Sequence, residues 1–287
     1  MHTFLPLFVT WNADPTFLSI GTFDIRYYGL TWAVGLAISA YLFNFMMRRE
    51  GYSPKLFDSI FWYGVLSTVI GSRLGHCLFY APGYYLTHPI EMLYIRDGGM
   101  ASHGAAVGLL IGLWLFSRKY KMPYIWSLDR IGIAVAIAGA LVRLGNLMNS
   151  EIYGVETSLP WGFIFVRNGE TLPKHPTQLY EAFSYLILFV ILWWMYYRKD
   201  MARRRPGVMF GFFLIVLFGV RFLIEFVKNP QEAFEENMLL NMGQLLSIPF
   251  ILVGVAILWW AWRKPALHPA PLPRITFFSG KPKPKKK

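Results

Sequence analysis

Two arginines within apolar stretches are the strongest candidates for chemistry in this sequence. Arg143 lies in VRLGNLMNSEIYG (142–154), and Arg221 lies in FGVRFLIEFVKNPQE, where Glu225 follows at i+4 on the same helical face. A guanidinium group presents paired planar donors that match phosphate, and it stays charged when it is desolvated. Two arginines without an equal number of nearby carboxylates therefore indicate a bound anion.

A structural lattice of ion pairs is the alternative interpretation of the same residues. Arg221 would pair with Glu225 in its own helix, and Arg143 would pair with Glu151 nearby. Charged side chains inside membrane spans are rare and are functional candidates by default, which includes Arg73 as a third case. Because two of these arginines lie at a similar predicted membrane depth, we favour the anion site over the lattice.

A histidine stands among small residues in GGMASHGAAVG (98–108). The glycines would let a backbone or a lipid approach closely, and a helix that begins near Met100 would direct its free N–H groups at an anion. Imidazole is the side chain best suited to proton transfer near neutral pH. His103 is therefore a candidate proton acceptor at the lipid–water boundary.

Long apolar segments must position these residues. The chain has 287 residues, of which 55% are hydrophobic and 15% charged, whereas a soluble domain carries about 25% charged residues. Segments that can cross a hydrocarbon core, which takes about 20 apolar residues, recur along it and are predicted helices because open sheet edges are not satisfied in lipid. The seven predicted spans are Tyr27–Met47, Phe57–Phe79, Met100–Phe116, Leu128–Leu147, Tyr180–Tyr197, Gly207–Val227 and Leu245–Trp262. The predicted fold class is all-α, a polytopic integral membrane protein with seven transmembrane helices.

The distribution of basic residues predicts the orientation of these helices. The net charge is +12, and nineteen Lys and Arg flank one side of the spans against five on the other. The positive-inside rule then places the N-terminus in the periplasm and the C-terminus in the cytoplasm, and it explains the charge without nucleic acid.

We predict a membrane domain over 1–265 with outside loops 80–99 and 148–179, the latter folding as a small periplasmic head. The basic residues 266–287 are a predicted disordered cytoplasmic tail.

Several other classes of site are disfavoured by the sequence. Cys77 is the only cysteine, and the six histidines show no metal-binding spacing, so we expect no metal and no cofactor. Ser102 and His103 are adjacent, and their side chains would point about 100° apart on a helix, which argues against a serine hydrolase. A transporter of an anionic lipid or organic anion remains the alternative function, although inverted repeats and paired broken helices are not found.

Several motifs, in this order along the chain, resemble one family. They are IRYYGL (25–30), RDGGMASHGAAVG (96–108), VRLGNLMNSEIYG, HPTQLYE (175–181), GVRFLIEFVKNP and MGQLLSIP (242–249). Together with the seven spans they resemble the prolipoprotein diacylglyceryl transferases of the bacterial inner membrane. The resemblance implies transfer of the diacylglyceryl group of phosphatidylglycerol to the lipobox cysteine of a prolipoprotein signal peptide, with formation of a thioether and release of glycerol phosphate.

The resemblance also implies roles for individual residues. His103 would accept the proton of the substrate thiol or position the base that does, and Arg143 and Arg221 would hold and neutralise the phosphate. Positions expected around the headgroup are Tyr28, Asn146, Asn149, Glu151, Gly154 and Glu225. Positions expected to support the site are Arg73, Asp97, Gly98, Gly99, Gly104, His175, Gln178 and Tyr180.

Three positions depart from the family pattern. Ala105, Val142 and Ser150 stand where glycine is usual, and each adds bulk where backbones pack closely. A diverged paralogue with altered lipid or peptide preference is therefore an open alternative. The charged and polar positions are retained, which argues against an inactive scaffold.

Overall fold

Helices dominate the computed structural model, which describes residues 8–94, 99–230, 238–270 and 272. The helices are α1 (Tyr27–Arg49), α2 (Pro54–Phe79), α3 (Pro82–Thr87), α4 (Ser102–Tyr120), α5 (Tyr124–Met148), α6 (Thr177–Tyr197), α7 (Met201–Arg204), α8 (Val208–Ile224) and α9 (Met242–Arg263). A 3-10 turn, Glu225–Val227, extends α8. Asp97, Gly98 and most of the predicted tail, residues 271 and 273–287, lie outside the described residues.

Five of the described helices are long and apolar enough to cross a membrane: α1, α5, α6, α8 with its 3-10 extension, and α9. Every predicted span coincides with a helix, although the ends differ by up to four residues. The fourth, for example, begins at Tyr124 rather than Leu128. The chain is thus a mostly helical membrane protein.

Four short strands modify the all-α expectation. They are β1 (Val9–Trp11), β2 (Thr16–Ile20), β3 (Phe23–Arg26) and β4 (Phe163–Phe165). β2 and β3 form an antiparallel hairpin that turns at Gly21, where φ is +61°. β1 pairs in parallel with β4, and the indole of Trp11 donates to the Leu147 carbonyl at 3.0 Å. This long-range pairing was not predicted, because each strand of the β1–β4 pair has only three residues and therefore lacks a periodic pattern.

The chain divides into two compact units, residues 1–42 with 129–269 and residues 43–128 with 270–287. In the second unit, α2 and α4 pack through glycines. A Cβ added at Gly71 would overlap the Gly104 carbonyl, and one at Gly75 would lie 2.7 Å from the Gly104 Cα. Gly104 therefore serves the close approach of two helix backbones, as small residues do in membrane helix pairs.

In the first unit, a buried carboxylate of α5 fixes the start of α8. Asp129 is fully buried, and it accepts from the backbone N–H groups of Gly207 at 2.7 Å and Phe210 at 2.9 Å. The first N–H groups of a helix have no partner within the helix, and Gly207 has no side chain to supply one. This contact anchors the helix that carries Arg221.

Candidate active site

Arg143 lies in the last turns of α5, where a carboxylate of another helix binds it. Its Nε is 2.7 Å from Oε2 of Glu181, which lies on the second turn of α6. Its Nη1 donates to Oδ1 of Asn146 at 3.2 Å, one turn further along α5. The Glu181 side chain is 1% exposed and that of Arg143 is 15% exposed, so this ion pair is almost completely shielded from solvent.

A second set of charged groups lies at the end of α8. Arg221 Nε is 3.7 Å from Oε1 of Glu225, and the same oxygen is 3.0 Å from Nζ of Lys228. Lys228 is also 3.6 Å from Oε1 of Glu181, and its side chain is 1% exposed. The five side chains Arg143, Glu181, Lys228, Glu225 and Arg221 thus alternate in charge, and we call them the ionic chain.

The ionic chain corrects the pairing expected from the sequence. Arg143 pairs with Glu181 and not with Glu151, and each arginine has a carboxylate close by, so the expected shortage of carboxylates is wrong. Three cations and two carboxylates nevertheless leave a net charge of +1. Glu181 was missing from the predicted site because its contacts join different elements, which residue spacing does not reveal. Lys228 follows Glu225 by three residues, so its contact with Glu225 could have been inferred from helical spacing.

α9 completes the surroundings of Glu225. The amide of Asn241 donates to Oε2 of Glu225 at 3.1 Å, and it also caps α9 in a capping box with Gln244. A Cβ on Gly243 would overlap the Glu225 carboxyl group. The glycine of MGQLLSIP therefore makes room for a carboxylate of the ionic chain.

Asn146, Asn149 and Glu151 come together at the end of α5. Glu151 Oε1 accepts from the side-chain amides of Asn146 at 2.7 Å and Asn149 at 3.4 Å. The helix closes with two backbone bonds, from Ser150 N to Leu147 O at 2.9 Å and from Glu151 N to Asn146 O at 3.0 Å. This pattern is a Schellman motif, and it turns Glu151 back toward the helix that carries Arg143.

Gly154, His175 and Gln178 hold the segment that follows α5. Gln178 is fully buried and donates to the Glu151 carbonyl at 2.7 Å. Gly154 N donates to the His175 carbonyl at 2.8 Å, and a Cβ at Gly154 would overlap the Val227 carbonyl. Gly154 thus fits a close backbone contact. These residues fix the backbone between α5 and α6.

His175 and Tyr180 interact through their side chains. Nδ1 of His175 lies 3.1 Å from the Tyr180 hydroxyl, which also accepts from the indole of Trp161 at 3.0 Å. Burial lowers the pKa of His175 below its usual value because the charged form loses hydration. The ring is therefore kept neutral over a wider pH range than a free histidine.

Tyr28 lies at a recess next to this region. The recess has a volume of about 390 Å³, and its walls are Asp24, Ile25, Arg26, Tyr28, Gly29, Leu30 and Asn149. The ring of Tyr28 also packs over α5, where an added Cβ on Gly145 would lie 3.0 Å from its Cδ2. The structure thus brings Tyr28 and Asn149, which are far apart in sequence, to one cavity.

His103 belongs to the other compact unit and is exposed there. It lies on the first turn of α4, which begins at Ser102 rather than near Met100. Its ring contacts Phe79 at 5.4 Å and Tyr80 at 5.7 Å between centroids. The two aromatic contacts leave the ring accessible to a bound molecule.

Arg73 forms hydrogen bonds with backbone carbonyl groups of the same unit. It donates to the carbonyls of Glu91 at 2.7 Å, Met92 at 3.0 Å and Gly99 at 3.3 Å. Gly99 has φ of +73°, and a Cβ there would crowd the His76 ring. Arg73 thus links Gly99 to Glu91 and Met92. Over the described residues, no group of three or more His, Cys, Asp or Glu side chains could hold a metal ion.

A family model described as prolipoprotein diacylglyceryl transferase matches residues 15–260. The chain belongs to this family. Among its relatives is a prolipoprotein diacylglyceryl transferase from Porphyromonas gingivalis, named for phosphatidylglycerol, which is 43% identical over 275 residues that cover 91% of this chain and 97% of the relative. A protein of the same name from Bacteroides fragilis is 42% identical, and the match covers 91% of this chain and 98% of the relative. Another protein of this name, from Tolumonas auensis, is 42% identical, and the match covers 86% of this chain and 95% of the relative.

Membership of the prolipoprotein diacylglyceryl transferase family extends over the whole candidate site. The matched residues 15–260 include both arginines, His103 and every other predicted position. They also include Glu181 and Lys228, which the structure adds to the site.

Proposed function

We propose that this protein transfers the diacylglyceryl group of phosphatidylglycerol to the lipobox cysteine of a prolipoprotein signal peptide. The observation that carries the proposal is the family match over residues 15–260, supported by relatives above 40% identity that are named for this reaction. The reaction requires no cofactor, since both reacting groups come from the two substrates. It is the first step of lipoprotein maturation.

The proposed reaction is a displacement at an sp³ carbon of the lipid. The thiol gives up its proton, and the thiolate sulfur attacks the carbon of the diacylglyceryl group that is bonded to the phosphodiester oxygen. A carbon–sulfur bond forms, the carbon–oxygen bond breaks, and its electron pair leaves with glycerol phosphate. Negative charge on the phosphate grows as this bond breaks. Fixed positive charge in a site with little water therefore stabilises the transition state more than the bound lipid.

We assign the phosphate to Arg143 and Arg221 and the thiol proton to His103. The net charge of +1 on the ionic chain supports the phosphate assignment, because an anion would neutralise it. Around the headgroup we place Tyr28, Asn146, Asn149, Glu151, Gly154 and Glu225. Supporting positions are Arg73, Asp97, Gly98, Gly99, Gly104, His175, Gln178 and Tyr180.

We further propose seven membrane crossings in the bacterial inner membrane, with α2 and α4 added to the five candidate spans. The N-terminus would be periplasmic and the C-terminus cytoplasmic. The membrane domain would comprise 1–265, the loop 148–179 would form a small periplasmic head, and 266–287 would form a basic tail. Cation–π pairs such as Arg205 with Trp262, at 4.5 Å, support a basic aromatic zone at the cytoplasmic end of α9.

The full chain, purified in detergent, tests the function directly. We expect a lipobox peptide incubated with phosphatidylglycerol to gain the mass of one diacylglyceryl group. A peptide with serine in place of the lipobox cysteine should gain nothing, and neither should a reaction with phosphatidylcholine alone. Absence of the adduct with folded protein would refute the proposal. Flux of anionic lipid across vesicles without adduct would favour the transporter.

A further inference from the structure

We propose that Glu181 is a positioning residue of this reaction, holding Arg143 so that the guanidinium end faces the lipid phosphate. The inference rests on the proposed function. Glu181 is on α6, and the two cations that it contacts lie on α5 and directly after α8. One carboxylate thus joins three separate elements of the same compact unit.

The geometry of the Arg143 contact determines which donors stay available. Glu181 forms an ion pair with Arg143 in which its Oε2 lies 2.7 Å from Nε, the nitrogen nearest the aliphatic part of the side chain. Asn146 takes one of the two hydrogens on Nη1, and the hydroxyl group of the buried Tyr185 also interacts with the guanidinium. The two Nη groups at the end of the side chain carry four hydrogens in all, and this end can bind two phosphate oxygens side by side. Glu181 therefore orients Arg143 without occupying its phosphate-binding end.

Burial makes this orientation strict. Both carboxylate oxygens of Glu181 lie near cations, at 2.7 Å from Arg143 and 3.6 Å from Lys228, and its side chain is 1% exposed. An ionised carboxylate removed from water must keep its paired cations. The Arg143 side chain is consequently held in one rotamer before any lipid arrives, as a preorganised catalytic group requires.

The effect of removing the charge of Glu181 distinguishes a positioning role from simple electrostatic attraction of the lipid. Neutralising Glu181 raises the net charge of the ionic chain from +1 to +2, so an anionic lipid should bind no less well. A positioning role predicts the opposite effect on turnover, since Arg143 is no longer aimed at the charge that grows during bond cleavage. The variant should therefore separate kcat from KM.

Kinetics of Glu181→Gln with phosphatidylglycerol and a lipobox peptide test the inference. We expect kcat per folded molecule to fall at least tenfold, with KM for phosphatidylglycerol unchanged or lower. Glu181→Asp keeps the charge but shortens the side chain, and we expect it to recover part, but not all, of the kcat that Glu181→Gln loses. The folded fraction is measured by size-exclusion chromatography and thermal unfolding, so that loss of protein is not counted as loss of turnover.

Glu156→Gln is the matched control. Glu156 also pairs with a lysine, Lys174, at 3.2 Å, but the Glu156 side chain is 61% exposed. We therefore expect the kcat and KM of Glu156→Gln to match those of the wild type. A wild-type kcat for folded Glu181→Gln would overturn the inference, as would a tenfold rise in KM at unchanged kcat. If Glu181→Gln does not fold, Glu181→Asp decides alone, since an unchanged kcat would then exclude a strict orientation. An inactive wild-type protein would instead refute the proposed function.

Discussion

At the scale of single residues, Ser150 stands in a conformation that favours glycine. Its φ is +54° at the end of α5, and a non-glycine residue in this left-handed region costs about 1–2 kcal/mol. Its hydroxyl oxygen is buried and, among the described residues, has no hydrogen-bond partner. The departure from glycine that the sequence shows here is therefore a local cost in stability.

Ser150→Gly should stabilise the protein. We expect a gain of about 1 kcal/mol, because the strain and the unpaired hydroxyl both disappear, measured as a higher midpoint of thermal unfolding in detergent. Ser59→Gly, within the helix α2, is the control and should lower the midpoint. A midpoint for Ser150→Gly at or below that of the wild type would show that the turn does not strain the chain.

His175 should make the stability depend on pH. Burial lowers its pKa in the folded protein, so the unfolded chain binds a proton at a higher pH than the folded chain does. As the pH falls below the unfolded value of about 6.5, the unfolded state gains protons first and stability decreases. Thermal unfolding between pH 7.5 and 5 should show this loss, and His175→Gln should reduce it. An identical pH profile for both proteins would contradict the predicted contribution.

His103 should govern turnover. If it accepts the thiol proton, His103→Gln should lower kcat about 10²–10⁴-fold, the range that general bases contribute, in the peptide mass assay. His268→Gln, an exposed histidine after α9, is the control and should retain full activity. Turnover of His103→Gln near that of the wild type would remove His103 from the role.

The contacts that the sequence predicts correctly are those with a local signal. Arg221 and Glu225 are one turn apart, and Asn146 follows Arg143 by three residues, so helical spacing brings each pair together. Glu181 is 38 positions after Arg143 and meets it only because α6 packs beside α5. A contact of this kind depends on tertiary packing, which hydrophobic periodicity in one chain does not determine.

At the scale of elements, the sequence predicts the helices well because each needs only a long apolar run. It does not predict β1 and β4, since three-residue strands lack a periodic signal and pair across more than 150 residues. It also leaves the partner of the glycines in GGMASHGAAVG open between a backbone and a lipid. The structure gives the answer for Gly104 and Gly108, which pack against the backbone of α2.

Gly71→Ala tests the packing of α2 on α4. The new Cβ would overlap the Gly104 carbonyl and lie 2.6 Å from the Gly108 Cα, and such overpacking costs about 1–3 kcal/mol. We expect a lower midpoint of thermal unfolding. Gly83→Ala in α3 is the control, because nothing lies within 4 Å of a Cβ there. Equal midpoints for the two variants would mean that the helices separate at no cost.

At the scale of the whole molecule, the ionic chain indicates how α5, α6 and α8 are oriented. Arg143 is near the end of α5, Glu181 near the start of α6 and Lys228 just after α8, so all three lie on one side of the proposed membrane. The basic residues at the other ends of these helices, such as Lys121 before α5 and Arg198 after α6, belong to the cytoplasmic side by the positive-inside rule. The charged site is therefore expected at the periplasmic side, where a secreted precursor would reach it.

Single cysteines distinguish seven crossings from five. Thr22→Cys and His268→Cys should lie on opposite sides of the membrane for either odd number, whereas Leu86→Cys, between α2 and α4, is periplasmic only if both of these helices cross. All three positions are exposed, and Cys77 is fully buried, so Cys77→Ala provides a background without labelling. In intact spheroplasts an impermeant maleimide should label Thr22→Cys and Leu86→Cys and should label His268→Cys only after lysis. Protection of Leu86→Cys before lysis, with Thr22→Cys labelled, would leave five crossings and place the loop before His103 in the cytoplasm, away from a thiol that arrives from the periplasm.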